Sequence, residues 1–99
     1  MTEKIDIVGG IYFRSVRLQK DMKIPQHTHD HDHATYIGSG SAILYVDGVF
    51  KGKYNSGDAV EMRGGKKHEF LALEDNTLLA CVWPESIAEE LNEAFPQNH

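Results

Sequence analysis

The chain is short of cysteine, of proline and of positive charge. Its only cysteine, Cys81, cannot close an intrachain disulfide, so the fold does not depend on an oxidising compartment. Cys81 lies in the apolar run Leu78-Leu79-Ala80-Cys81-Val82-Trp83 and reads as a core residue. Only three prolines, with 40% hydrophobic and 25% charged residues, exclude a disordered or collagen-like chain. Ten Lys and Arg against fifteen Asp and Glu give a net charge of −5, which argues against a general nucleic-acid binder. The nearest approach to a basic patch, Arg63, Lys66 and Lys67, reads as a solvated loop before an anion site. No apolar run reaches membrane-spanning length, and Met1-Thr2-Glu3-Lys4-Ile5-Asp6 lacks the basic-then-apolar pattern of a secretory leader. A cytoplasmic protein that contacts neither membrane nor nucleic acid is expected.

What is present is a short apolar or alternating segment every eight to ten residues, separated by Gly, Asp and Asn. With 99 residues the chain makes one domain with a marginal core, and the spacing is that of an all-β sandwich or barrel. Strands are expected at Ile11–Leu18, Ser41–Val46, Val49–Tyr54, Ala59–Met62, His68–Leu73 and Thr77–Trp83. Asp47-Gly48 is a strong hairpin signal because both turn positions tolerate positive φ. Gly38-Ser39-Gly40 reads as a turn or bulge. Beyond Pro84, Ser86 and Glu89 form a capping-box pattern, and Ile87, Ala88, Leu91, Ala94 and Phe95 make one apolar face of a helix over about 85–95. That face is expected against the outside of the barrel or across a dimer interface, with Glu90 and Glu93 facing water.

Four of the six histidines fall in His27-Thr28-His29-Asp30-His31-Asp32-His33, and His68 stands alone further on. Alternate residues of a strand point to one face, so a His-x-His pair can share one ion. Neutral imidazole is the commonest ligand of the late divalent transition metals. Taken alone, the stretch reads equally as a low-complexity, metal-sequestering tract.

The surrounding spacing distinguishes these readings. His27 and His29 are followed after three residues by His33 and after six more by Gly40. Gly57, Gly65 and His68 stand in a second set at fixed offsets, and sixteen residues separate Gly40 from Gly57. These positions resemble the two short motifs of the cupins, over about 21–40 and 57–72. The resemblance implies a double-stranded β-helix, or jelly-roll barrel, with a short C-terminal helix. Asp21 stands in place of the first motif glycine, Arg63 of a proline and Ala72 of an asparagine. His33 stands where the family usually has a ligating glutamate.

The resemblance implies that His27, His29, His33 and His68 hold one divalent transition metal. Four neutral imidazoles leave the ion its full charge, which favours Fe, Ni, Zn or Cu over harder Mn. His31 falls in the loop between motif positions, as a solvated residue or one that orients a ligand. With His68 facing inward, alternation places Thr35, Ile37, Val60, Met62, Phe70 and Ala72 around a small apolar pocket, with Tyr45, Ile43, Tyr12 and Trp83 as further wall and Arg14 or Arg63 near its mouth. Each of these apolar residues taken singly reads first as plain barrel core. Tyr45 or Tyr12 could donate a proton, but nothing selects either, and no catalytic acid or base can be assigned.

The leading expectation is a small metalloenzyme, dioxygenase-, isomerase- or lyase-like, acting on a small chelating organic substrate. A non-catalytic small-molecule or metal sensor is the alternative, and sequestration of metal by the tract a third. Ile5, Ile7 and Val8 read as a strand seeking a neighbour, so a homodimer is expected.

Overall fold

The computed structural model describes residues 1–24 and 30–94. Their strands are β1 (Thr2–Val8), β2 (Ile11–Leu18), β3 (His33–Ser39), β4 (Ser41–Val46), β5 (Val49–Asn55), β6 (Ala59–Met62), β7 (His68–Ala72) and β8 (Thr77–Pro84). A 3-10 turn at Glu85–Ile87 leads into α1 (Ala88–Ala94). The strands form two antiparallel sheets, ordered β1-β2-β8-β3-β6 and β5-β4-β7. From β3 to β4, β5 to β6, β6 to β7 and β7 to β8 the chain passes from one sheet to the other, the winding of a jelly roll.

Period-two alternation decides which side chains meet between the sheets. Tyr12, Arg14, Val16 and Leu18 of β2 are buried, as are Thr77, Leu79, Cys81 and Trp83 of β8. Val16, Leu18, Ile37 and Leu79 pack against Leu44, Phe70 and Ala72 of the facing sheet. Each large aliphatic or aromatic side chain buried this way is worth about 1.5–3 kcal/mol relative to exposure. The segment before β3 covers the free edge of β7: Asp21 N–H donates to Ala72 O, Ala72 N–H to Met22 O and Ile24 N–H to Phe70 O, at 2.9–3.0 Å.

The turns follow their local chemistry. Asp47 and Gly48 both take positive φ, 50° and 80°, and join β4 to β5. Gly40 makes the passage from β3 to β4 with φ of 74°. A Cβ there would lie 2.4 Å from Thr77 Oγ1 and 2.9 Å from Thr77 Cα, so only glycine fits.

The C-terminal segment departs from expectation in two ways. The helical stretch opens as a 3-10 turn directly from Pro84, with no side-chain cap, so Ser86 sits within the turn and does not cap it. The helix also does not pack outside the barrel. Leu91, with Ile87 and Ala88 beside it, packs on Tyr12, Cys81 and Trp83. Those three share the inner face of β2 and β8 with Val16 and Leu79, so one end of that face is covered by the three-stranded sheet and the other by α1. The apolar stripe of a helix says which side is buried but not against what.

Candidate functional site

His33 is the first residue of β3 and His68 the first of β7. His33 pairs with Met62, the last residue of β6, and the loop 63–67 joins Met62 to His68. Both imidazoles therefore flank one loop at one end of the barrel. Each is half-buried.

The His33 ring is stacked on the indole of buried Trp83, with centroids 4.2 Å apart and planes 24° from parallel. Trp83 in turn meets Tyr12 edge-on at 5.9 Å. His68 lies opposite Val46 across the β4–β7 pair. Burial pushes its imidazole below the ordinary value of 6.5, while the Asp47 charge and a hydrogen bond to the Lys66 backbone pull the other way. The net effect favours the neutral ring, the form that binds a metal. Asp47 is itself built into the loop: its carboxylate accepts Lys67 N–H at 2.9 Å, which holds its carboxyl below the usual range, and its own N–H donates to Lys67 O.

The segment leading into β3 is pinned to the same loop. Gly64 N–H donates to Asp32 Oδ1 at 2.7 Å. A Cβ at Gly64 would come within 2.7 Å of the Asp30 carbonyl, so the two backbones touch only because position 64 has no side chain. His31 Nε2 and Glu90 Oε2 of α1 lie 2.6 Å apart. Glu90 faces water, as the helix pattern suggested, its side chain 65% exposed, and it also meets His31. Nothing local in the sequence signals the Glu90 or Gly64 contacts, since both partners are distant along the chain.

His27 and His29 lie outside the described residues. Among the described residues no group of three or more His, Cys, Asp or Glu side chains gathers for a metal ion. Of the four expected ligands the described two are half-buried imidazoles, donors of the kind a borderline dication takes, with His33 stacked on Trp83 and the neutral form of His68 favoured by burial.

Beside His68 opens a cleft of about 370 Å³ between β4, β5 and β6. Leu44, Val46 and Val60 give it an apolar wall, and Lys51, Arg63 and Lys66 line it with positive charge. Thr35, Ile37, Met62, Phe70 and Ala72 also turn inward but are 0–3% exposed and form packed core. Tyr45 corrects the expectation that it lines the pocket. Its strand partner is Glu69, while Leu44 and Val46 take the inner face, and its ring meets Phe50 outside at 6.3 Å. Ser-Ala-Ile-Leu-Tyr-Val is apolar at nearly every position, so its pattern carries no sign of which parity faces in.

Arg14 is not at the mouth either. It is 5% exposed, and its guanidinium donates to Glu3 Oε2 from Nε at 3.0 Å and Nη2 at 2.6 Å, fastening β1 to β2. Tyr12 donates its hydroxyl to Asn92 of α1 at 3.1 Å. Cys81 is buried with its sulfur 3.4 Å from Thr35 Oγ1, and burial pushes its thiol pKa up, so it is a protonated core residue.

The family match agrees with this architecture. Residues 14–83 match the Cupin domain family. The chain belongs to the cupins. No match was found among curated protein sequences. Among solved structures this cupin is similar to KdgF from Halomonas sp., with a TM-score of 0.69 at 21% identity over 81% of this chain and 74% of that one. A cupin 2 domain-containing protein from Halorhodospira halophila gives 0.72 at 14% identity over 85% of this chain and 63% of the other. The polyketide cyclase RemF from Streptomyces resistomycificus gives 0.63 at 20% identity over 76% and 54%. At such identities the likeness is one of fold, and the site must be argued from its own residues. No helix among the described residues is long and apolar enough to cross a membrane.

Proposed function

We propose that this cupin binds one divalent transition metal through His27, His29, His33 and His68 and acts as a small metalloenzyme on a small chelating organic molecule. The observation that carries the reading is the placement of His33 and His68, distant in sequence, as half-buried imidazoles on either side of the 63–67 loop. Bound there, the ion would supply Lewis acidity toward an oxygen of the ligand. The chain's own contribution is positional. Trp83 stacks on the His33 ring, burial favours the neutral form of His68, and the Gly64–Asp32 hydrogen bond holds the start of β3 against the loop.

A second reading is a non-catalytic binding module: Tyr54 lines the cleft, but the two tyrosines that the sequence offered as proton donors lie away from it. Tyr45 points outside the barrel and the Tyr12 hydroxyl is engaged by Asn92, so neither hydroxyl that the sequence offered as a proton donor serves the cleft.

Metal analysis of the purified protein tests the shared part of both readings. About one ion per chain is expected, falling sharply in His68→Ala, because a linear histidine tract does not need residue 68. Unchanged metal content in that variant would remove the constructed site and leave sequestration by the tract. Oxygen uptake by the Fe(II)-loaded protein with β-diketones, thiols and catechols then separates an oxygenase from a binding module.

A further inference from the structure

We infer that the cleft beside His68 is a binding site for a small organic acid, with its carboxylate among Lys51, Arg63 and Lys66 and its carbon chain against Leu44, Val46 and Val60. The inference deepens the functional reading, since both place the ligand beside His68, but it rests on different residues.

Three observations carry it. The first is charge. The cleft gathers three cationic side chains against one carboxylate, Glu61, in a chain whose net charge is −5. Positive charge concentrated in a concave, partly apolar setting selects an anion over a neutral ligand. The second is availability. Arg63 lies 3.6 Å from Glu61 and Lys66 lies 3.8 Å from Asp47, with all four side chains about half exposed or more. Surface pairs of this kind contribute little and yield readily to a better partner. Lys51 makes no ion pair among the described residues.

The third is the way Lys51 reaches the cleft. The β4–β5 register jumps from Leu44–Gly52 to Tyr45–Phe50, leaving Lys51 as the extra residue of a β-bulge. Strict alternation from inward Gly52 and Tyr54 would send Lys51 outward, and the bulge re-aims it into the cleft wall. The loop 63–67, which alone read as solvated, supplies the opposing cations because β6 and β7 carry it to the same opening. A volume of about 370 Å³ suits a small molecule. The aliphatic wall distinguishes an organic acid from a bare inorganic anion.

The test uses the full chain stripped of metal with a chelator, so that the cleft is read independently of any ion. Isotope-labelled protein is titrated with hexanoate, 1-hexanol and inorganic phosphate while backbone amide shifts are followed. Hexanoate should move the amides of 44–46, 51–54 and 60–68 saturably, with binding weakened by added salt. Hexanol and phosphate should each bind at least about tenfold more weakly, and Lys51→Gln/Lys66→Gln should cost hexanoate a similar factor. Equal binding of hexanol, equal binding of phosphate, an unaffected double variant, or saturable shifts only elsewhere would each overturn the proposal. The metal reading stands or falls separately on the metal content of His68→Ala, which the exposed lysine substitutions leave untouched.

Discussion

At the scale of single residues, His68 couples protonation to folding. Its folded-state pKa is depressed by burial, so the unfolded chain takes up a proton at higher pH than the folded one. The stability this group contributes is complete above its unfolded value of about 6.5 and is lost as pH falls from there through the lower folded value. Urea unfolding of the metal-free protein should therefore show a fall in stability on acidification below about pH 6.5 that is smaller in His68→Gln. An identical pH profile for the two proteins would show that burial of His68 has no energetic consequence. Gly40 is a residue-scale constraint of another kind. Gly40→Ala should destabilise the fold by about 2 kcal/mol or more in chemical denaturation, from positive φ and the clash with buried Thr77 together. Asp21, which replaces a motif glycine, takes φ of 70°, a conformation that Asp tolerates and most residues resist.

At the scale of elements, the helix is the one that depends most on its surroundings. The seven described residues of α1 are too few for an isolated helix to persist in water, and Leu91 docks them on Tyr12, Cys81 and Trp83. Leu91 is 2% exposed, and Leu91→Ala should cost about 2–4 kcal/mol, with amide exchange in α1 accelerating before that of the sheets. Equal acceleration across β2 and β8 would instead mean that helix and barrel unfold as one unit. Most strands, by contrast, were legible along the chain. Their alternation is a local signal, and Asp47-Gly48 announces its hairpin through turn chemistry alone. The bulge at Lys51 was not legible, because the extra residue is defined only against its partner strand.

At the scale of the whole molecule, β1 ends its sheet with one edge unpaired by any described strand, and Ile7 and Val8 are 47% and 63% exposed. An apolar edge of this kind is a template for pairing. The expected assembly remains a homodimer, and light scattering coupled to gel filtration should give about twice the chain mass of 11.1 kDa. A mass of one chain at micromolar concentration would rule that out. By itself, the order of residues determined the β class, the main strands, the turn at Asp47-Gly48 and the cupin spacing of His27, His29, His33 and His68, because periodicity, turn chemistry and fixed offsets are written along one dimension. The tertiary structure alone decided that α1 closes one end of the barrel's inner face, that Glu90 reaches His31, that Tyr45 faces out and that Lys51 faces a cleft beside His68. Each of these depends on which distant strand lies opposite and in what register, and a single strand's own pattern does not contain its partner.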